Sequence, residues 1–440
     1  MDNMNIGILW AQFGPYHFAR VSALQSLAGT HGVCALELAN RTQDYQWTRT
    51  RTPVNLVTLC PGATTERLSF STVFRNARAA LRRLGIDVCL LPSYSPRQSF
   101  AALLAAKSLG IRTVMMNESH AGTARATGLS AFIKSSLVRL FDTALVGGRP
   151  HRRYFASLGM SEEKIFTGYD AIDNDYFVRR SDEVRARSAE VRSRYGLPQR
   201  YFLSLGRFVA KKNLATLLIA YRKFLDSIPD STTHLVMVGS GQEGAKLHAL
   251  CRELRLTVYE KSNAENPQSN SGEPPGVHFY GFRQIEENPI FYALAEAFVL
   301  PSVYEEWGLV VNEAMASGLP VVVSETAGCA EDLLPTGLPS ELDSVPAVSR
   351  IRQAGLRKKI RRNGFVFDPK SSDELANALR LLSNFSKMRT AMGRSSRSIV
   401  ENFSCENFGR QALLAARAAM GQWRPCEEPS GHAEPVLPRN

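Results

Sequence analysis

Short apolar runs alternate with amphipathic stretches along most of this chain, and each run ends in a polar or glycine-containing loop. In the first half, runs at 4–9, 33–38, 87–91, 113–116 and 143–146 predict strands. The loop Gln12-Phe13-Gly14-Pro15-Tyr16-His17 leads into a helix ending near residue 27, and another helix is predicted over 98–109. Repeated strand, loop and helix make a doubly wound parallel sheet, in which ligands bind beyond the carboxyl ends of the strands. That rule singles out Gly14, Tyr94, His120 and Gly148. Residues 170–199 read as linker plus a charged helix, after which the alternation restarts. A buried strand at 201–205 turns at Gly206 into a helix with Leu214, Leu217, Leu218, Tyr221 and Leu225 on one face and Asn213 at its N-cap. Further on, the run 297–300 ends in Pro301 and Ser302. An acidic loop (Tyr304-Glu305-Glu306-Trp307-Gly308) follows, then a helix over 309–317 stopped by Gly318 and Pro320, then a buried strand at 321–323. Two such halves predict an α/β chain of two Rossmann-like, doubly wound domains, which suits a length of 440 residues.

Two segments interrupt the second half. Residues 262–276 are polar and rich in Pro and Gly, and are expected to be disordered. Residues 334–362 form a longer insert ending in a basic run.

Candidate chemistry concentrates in the second half. Seven residues separate Glu305 from Glu313. One carboxylate is thus predicted in the loop and the other about a turn into the helix, both aimed at one crevice. Gly308 and Leu309 place backbone N–H groups at the helix N-terminus, which suits a phosphate; the bland alternative is acids attracted by the helix dipole. Lys211 and Lys212, with Arg207 upstream, crowd another helix N-terminus without an acidic partner. Cations there oppose the macrodipole at about 0.3–1 kcal/mol each, and a bound diphosphate reverses that sign. The turn Gly239-Ser240-Gly241-Gln242-Glu243-Gly244 follows a strand at 235–238, with Glu260 about twenty residues on. Taken alone it is a dinucleotide fingerprint and supports an NAD(P)-dependent oxidoreductase. Gly14 is either a point where backbone approaches a phosphate or sugar, or a turn before a helix with Pro15 near N1. His17 and His151 read as surface or packing residues.

Composition narrows the classes. Hydrophobic content of 44% and charged content of 21% are those of a soluble globular protein. No apolar stretch approaches the roughly 20 residues of a membrane span, and the N-terminal residues lack a basic region and a cleavage site. The seven cysteines are scattered, with no metal-ligand spacing, so a reducing compartment and no metal site are expected. A formal net charge of +12 asks for an anionic partner. Arg67, Arg75, Arg78, Arg82 and Arg83 stud one predicted helix in the first half, either as a solvated face or as a dock for an anionic membrane surface. Aromatic residues do not interleave them and no nucleic-acid motif is present, so nucleic acid is not an expected partner.

The segments "LGRFVAKKN", "VMVGSGQE", "VHFYGF", "FYALAEAFVLPS" and "YEEWGLVVNEAMASGLPVVVS" together resemble the retaining nucleotide-sugar glycosyltransferases of family 4, over roughly 202–323. The resemblance implies the GT-B fold, with two domains facing a cleft. An acceptor-side domain is expected over 1–175, a nucleotide-sugar-binding domain over 176–400, a helix crossing back over 401–423 and a disordered tail over 424–440. It implies that Arg207 and Lys212 neutralise a diphosphate leaving group, that Glu313 binds ribose hydroxyls and that Glu305 binds the sugar. It also implies that His120, with Glu118 as the alternative, touches the transferred sugar. Gly14, Gly239 and the main chain at Phe282 and Arg283 are expected to face the donor, along with Gly308 and Leu309. Transfer to an acceptor hydroxyl, on a sugar or a lipid-linked molecule, with retention and with neither metal nor cofactor, is the expected activity. Surface polysaccharide or glycolipid synthesis is the expected setting, in the cytoplasm and peripheral to the inner membrane face. A sugar-nucleotide-binding protein without catalysis is the third class.

Overall fold

The computed structural model describes residues 4–29, 31–42, 56–124, 128–261, 273–338, 356 and 358–422. The expected tail at 424–440 and most of the two inserts lie outside the described residues.

Two sheets organise the chain. The first comprises β1 (Asn5–Trp10), β2 (Gly32–Arg41), β3 (Leu56–Thr64), β4 (Val88–Pro92), β5 (Arg112–Asn117), β6 (Thr143–Val146) and β7 (Ile165–Thr167). Their order is β3-β2-β1-β4-β5-β6-β7, and every pairing is parallel. The second comprises β8 (Tyr201–Leu205), β9 (His234–Val238), β10 (Thr257–Glu260), β11 (Gly276–Phe279), β12 (Ala297–Leu300), β13 (Val321–Ser324), β14 (Ile360–Arg361) and β15 (Gly364–Phe367). Its order is β10-β11-β9-β8-β12-β13-β15-β14, parallel except for the β14–β15 pair. Both are doubly wound, Rossmann-like arrangements, as the apolar alternation predicts.

Helices cover both faces of each sheet, so successive strand residues enter different cores. In β4, Leu91 joins Leu36, Leu38 and Met115 on one side, while Leu90 joins Ile6, Ile8 and Val114 on the other. The second side is closed by the helix Cys405–Ala419, whose Phe408, Ala412 and Ala416 are buried there although the helix follows the whole second sheet in sequence. The Thr143 hydroxyl donates to the Ala415 carbonyl at 3.0 Å, tying that helix to β6.

Strands β3, β7, β14 and β15 are among those that the sequence pattern described above does not include. β3 contains Pro61 and Gly62, which break its apolar run, and β7 has only three residues. The charged stretch predicted as one helix is two, Asn174–Ala186 and Ser188–Tyr195, the second closed by left-handed Gly196. Arg67 lies in a 3-10 turn ahead of the arginine-bearing helix, which spans Phe70–Arg83.

The topology fixes where a ligand can sit. Connections leave β8 toward β9 on one side, and the chain later crosses to β12 on the other, so the switch point of the second sheet lies between β8 and β12. The loops after those strands carry Arg207, Lys211 and Lys212, and Glu305 and Glu306, respectively. In the first sheet the switch lies between β1 and β4, beside the Gly14 loop.

Candidate active site

The β8 and β12 loops are joined by their backbones: the Val303 N–H donates to the Lys211 carbonyl at 2.8 Å. Their charges then meet. Lys212 Nζ forms an ion pair with Glu305 Oε2, which also accepts from the Ser302 hydroxyl at 3.1 Å. Lys211 Nζ lies 2.7 Å from Glu306 Oε2 and 4.0 Å from Glu305 Oε1. The expectation that Lys212 has no acidic neighbour is therefore corrected: its partner comes from a strand far along the chain, across the switch point. An ammonium has three donors, so Lys212 keeps two for a phosphate beyond its bond to Glu305. Burial raises the Glu306 carboxyl, but the hydrogen bond and charge of Lys211 outweigh it and hold it below its ordinary value. Arg207 is exposed at the mouth of the same loop.

Asn213 stands at the N-cap position, as expected, but in a left-handed conformation, and its side chain does not cap the helix. It donates instead to the Pro301 and Pro369 carbonyls at 3.0 and 2.8 Å, bracing the loop after β12.

Beyond Glu306 the chain turns through Gly308, at φ 106, into the helix Leu309–Ala316. Glu313 on this helix is fully buried. Its Oε1 accepts from the Tyr16 hydroxyl and its Oε2 from Asn288 Nδ2 at 3.1 Å. Burial pushes its pKa up to about 7, against the hydrogen bonds of Tyr16, Tyr292 and Asn288, which pull it down. The folded value lies above the ordinary carboxyl value of 4.5. The stability linked to the neutral carboxyl is then fully present below the unfolded pKa and lost as pH rises through about 7. Glu313→Gln is expected to flatten the fall of melting temperature between about pH 5 and about pH 8 relative to the wild type. Parallel melting-temperature profiles for the two proteins would contradict the assignment.

The first domain holds the acidic loop by its main chain. His120 Nδ1 accepts from the Gly122 N–H at 3.2 Å, so its Nε2 carries the proton and donates to the Glu305 carbonyl at 2.9 Å. His151 repeats the arrangement: Nδ1 accepts from the Gly148 N–H at 3.1 Å, and Nε2 donates to the Glu306 carbonyl at 2.9 Å. Burial lowers the His151 pKa to about 4, which keeps it neutral. Sequence reading placed His151 among surface or packing residues; it is fully buried and spans the domain interface. The signal was its place after Gly147-Gly148, at the carboxyl end of β6. Glu118 turns instead toward Asp170 and Arg20 in a buried cluster, where burial raises both carboxyls and Arg20 draws them down. Arg149 and Arg153 add exposed pairs to Asp332 and Glu331 at 2.9 and 2.8 Å.

Gly14 heads the helix Pro15–Ala28, and its N–H donates to His17 Nδ1 at 2.9 Å. Its neighbour Tyr16, which no sequence signal marked, reaches the second domain. His17 stacks on Trp10 with centroids 4.5 Å apart, a packing role as expected.

Gly239 and Gly241 turn toward protein. The Gly206 N–H donates to Val238 O at 2.9 Å, the Phe208 N–H to Ser240 O at 2.8 Å, and the Glu243 N–H to Phe208 O at 2.9 Å. A Cβ on Gly239 would run into the Gly206 carbonyl, and one on Gly241 into that of Phe208. The glycines of the fingerprint are thus used to seat the β8 loop, and Glu260 lies 2.5 Å from His248 Nε2. Phe282 is exposed beyond β11, and the Arg283 guanidinium is spent on the Tyr280 and Lys261 carbonyls at 3.1 and 3.2 Å.

An Asp-x-Asp triplet, Asp173-Asn174-Asp175, lies at the start of the first charged helix. Asp173 caps a helix there, accepting from the Tyr176 N–H at 2.9 Å. Among the described residues no group of three or more His, Cys, Asp or Glu is placed to hold a metal ion.

Comparison with known proteins agrees with this geometry. The family model "Glycosyl transferases group 1" matches residues 189–335, which contain both loops of the switch point. That stretch of the chain is similar to group 1 glycosyltransferases, and the two parallel-sheet domains form a GT-B, Rossmann-like fold. The chain is 31% identical over 161 residues to mannosylfructose-phosphate synthase of Agrobacterium fabrum, covering 37% of this chain and 32% of that protein. It is 28% identical over 223 residues to O-antigen chain mannosyltransferase B of Escherichia coli, covering 50% and 48%. The match thus spans less than half the length of these curated relatives. The GT-B fold as a whole is similar to that of Anabaena HepE, solved with UDP-glucose, at 16% identity and a TM-score of 0.64 over 93% of this chain and 98% of that one. No helix among the described residues is long and apolar enough to cross a membrane.

Proposed function

We propose that this GT-B protein transfers a sugar from a nucleoside diphosphate donor to an acceptor hydroxyl, with retention of configuration and without a metal. The observation that supports the proposal is the Lys212–Glu305 ion pair across the switch point of the second sheet, with Arg207 on the same loop as Lys212, and with Gly308, Leu309 and Glu313 on the helix start that follows Glu305. In this reading the bond between the anomeric carbon and the diphosphate oxygen breaks, and its electron pair stays on the phosphate. Arg207, Lys212 and the Gly308 and Leu309 N–H groups stabilise that growing charge, an effect whose worth rises in a water-excluded site. The acceptor hydroxyl attacks on the face the phosphate leaves and passes its proton to the departing phosphate oxygen, so no covalent nucleophile is required. Glu305 takes hydroxyls of the sugar, and Glu313 those of the ribose. His120 and His151 act by holding the Glu305–Glu306 main chain when the domains close. The relatives named for mannosyl transfer to O-antigen and for UDP-glucose binding support a role in surface polysaccharide or glycolipid synthesis. Nucleoside diphosphate release, measured across a donor panel with and without lipid-linked acceptors, tests the reading; no release from any donor would count against it.

The acceptor side includes the arginine-bearing helix. A recess of about 520 Å³ on it is lined by Phe74, Arg75, Arg78, Ala79, Arg82 and Arg83. Each basic residue near an anionic surface contributes about 1 kcal/mol. Replacing Arg75, Arg78, Arg82 and Arg83 with Gln is expected to weaken co-sedimentation with anionic vesicles at least tenfold while leaving donor hydrolysis nearly unchanged. Wild-type protein that ignores such vesicles at low salt would make the stripe a solvated face and favour a soluble acceptor.

A further inference from the structure

We propose that Tyr16 sets the affinity for the nucleotide by occupying, with its hydroxyl, the place on Glu313 that a ribose hydroxyl takes. The proposal rests on the nucleotide-sugar reading above and adds a residue from the opposite domain to it. Glu313 is fully buried, and both of its oxygens are engaged, one by the Tyr16 hydroxyl and one by Asn288. A phenol and a ribose hydroxyl offer a carboxylate the same donor. Tyr16 is not a loose side chain that drifts into the site. Pro15 at the helix start and the Gly14–His17 hydrogen bond fix the turn that carries it, and its ring is packed against the hydrophobic core of the second domain. The first domain therefore plugs the ribose pocket of the second when the two are closed. A nucleoside can reach Glu313 only by displacing Tyr16, through rotation of the side chain or parting of the domains. Most binding residues lose affinity when truncated. Tyr16 should do the reverse, because its hydroxyl competes with the ligand.

Calorimetric titration of UDP, GDP, ADP and inorganic pyrophosphate into the full chain, as wild type, Tyr16→Phe, Tyr16→Ala and Glu313→Gln, tests this. The diphosphate preferred by the wild type is expected to bind Tyr16→Phe about five- to tenfold more tightly, the worth of one net hydrogen bond. Tyr16→Ala should gain at least as much, and Glu313→Gln should bind more weakly than the wild type. Pyrophosphate, which needs no ribose site, should bind wild type and Tyr16→Phe alike. Unchanged or weaker nucleotide binding by Tyr16→Phe in a wild type that binds well overturns the role of Tyr16 and leaves the nucleotide reading standing. An equal gain for pyrophosphate also overturns it, since that marks general loosening of the interface. Absence of nucleotide binding in all four proteins removes the nucleotide reading and this proposal with it.

Discussion

Lys212→Ala is expected to lower kcat by about 10²–10³, the usual cost of losing one charge contact made in the transition state. The structure adds a second consequence. The Lys212 and Glu305 side chains are 13% and 10% exposed, so truncating the lysine leaves a largely buried carboxylate with Ser302 and the more distant Lys211 as its remaining neighbours. Breaking one side of a buried pair costs about 3–5 kcal/mol, and the upper part of that range requires full burial, so a value near its lower end is expected. Lys212→Ala combined with Glu305→Gln should therefore recover melting temperature without recovering turnover. The exposed Arg207, truncated in the same way, should lose turnover with little loss of stability. Turnover like that of the wild type in Lys212→Ala would remove the lysine from the mechanism. A double variant no more stable than Lys212→Ala would show that the ion pair does not carry the stability assigned to it.

Gly239→Ala is expected to be the more damaging change to the fold. Gly239 sits at φ 137, a conformation open to glycine and rarely to L-residues, and its added Cβ would meet the Gly206 carbonyl oxygen. Backbone strain of this kind costs about 1–3 kcal/mol even without a clash. The obstacle here is main chain, which cannot swing aside as a flexible side chain can. Relief requires the Gly206–Phe208 segment to shift, and that segment positions Arg207. Nucleotide affinity is expected to fall more than tenfold together with the melting temperature. A variant that melts and binds as the wild type does would show that the packing of the β8 and β9 loops is not needed to shape the site.

The sequence pattern was most informative where strands are short, apolar and bounded by glycine or proline. β6, β8 and β12 fall on the predicted residues because a strand buried on both faces leaves a continuous apolar run. The Glu305–Glu313 spacing and the basic loop were legible for a similar reason, since each is local. Partners were not. Lys212 and Glu305 are separated by more than ninety residues and meet only because the chain crosses the sheet between β9 and β12. His151 shows the same limit in another form. Its neighbours in sequence suggest a helix N-terminus, and nothing local says that the carbonyl of Glu306 will arrive against its Nε2. Tyr16 was read as one residue of a loop because its target lies in the other domain. What sequence spacing cannot supply is the register between two sheets, and the interdomain part of this site depends on that register. Conversely, the glycine fingerprint at Gly239 was legible but ambiguous: the same residues that let a backbone approach a pyrophosphate also let it approach another loop, and here they do the second.

The most direct measurement is calorimetry of the wild-type chain in the presence of a metal chelator, titrated with nucleoside diphosphates and, separately, with NADH and NADPH. Saturable binding of one diphosphate, lost in Lys212→Ala, is expected, with no heat from either dinucleotide at comparable concentration. Tight dinucleotide binding that is abolished by Gly241→Val, with no diphosphate bound, would contradict the transferase reading and return the β9 turn to the role its glycine spacing suggests.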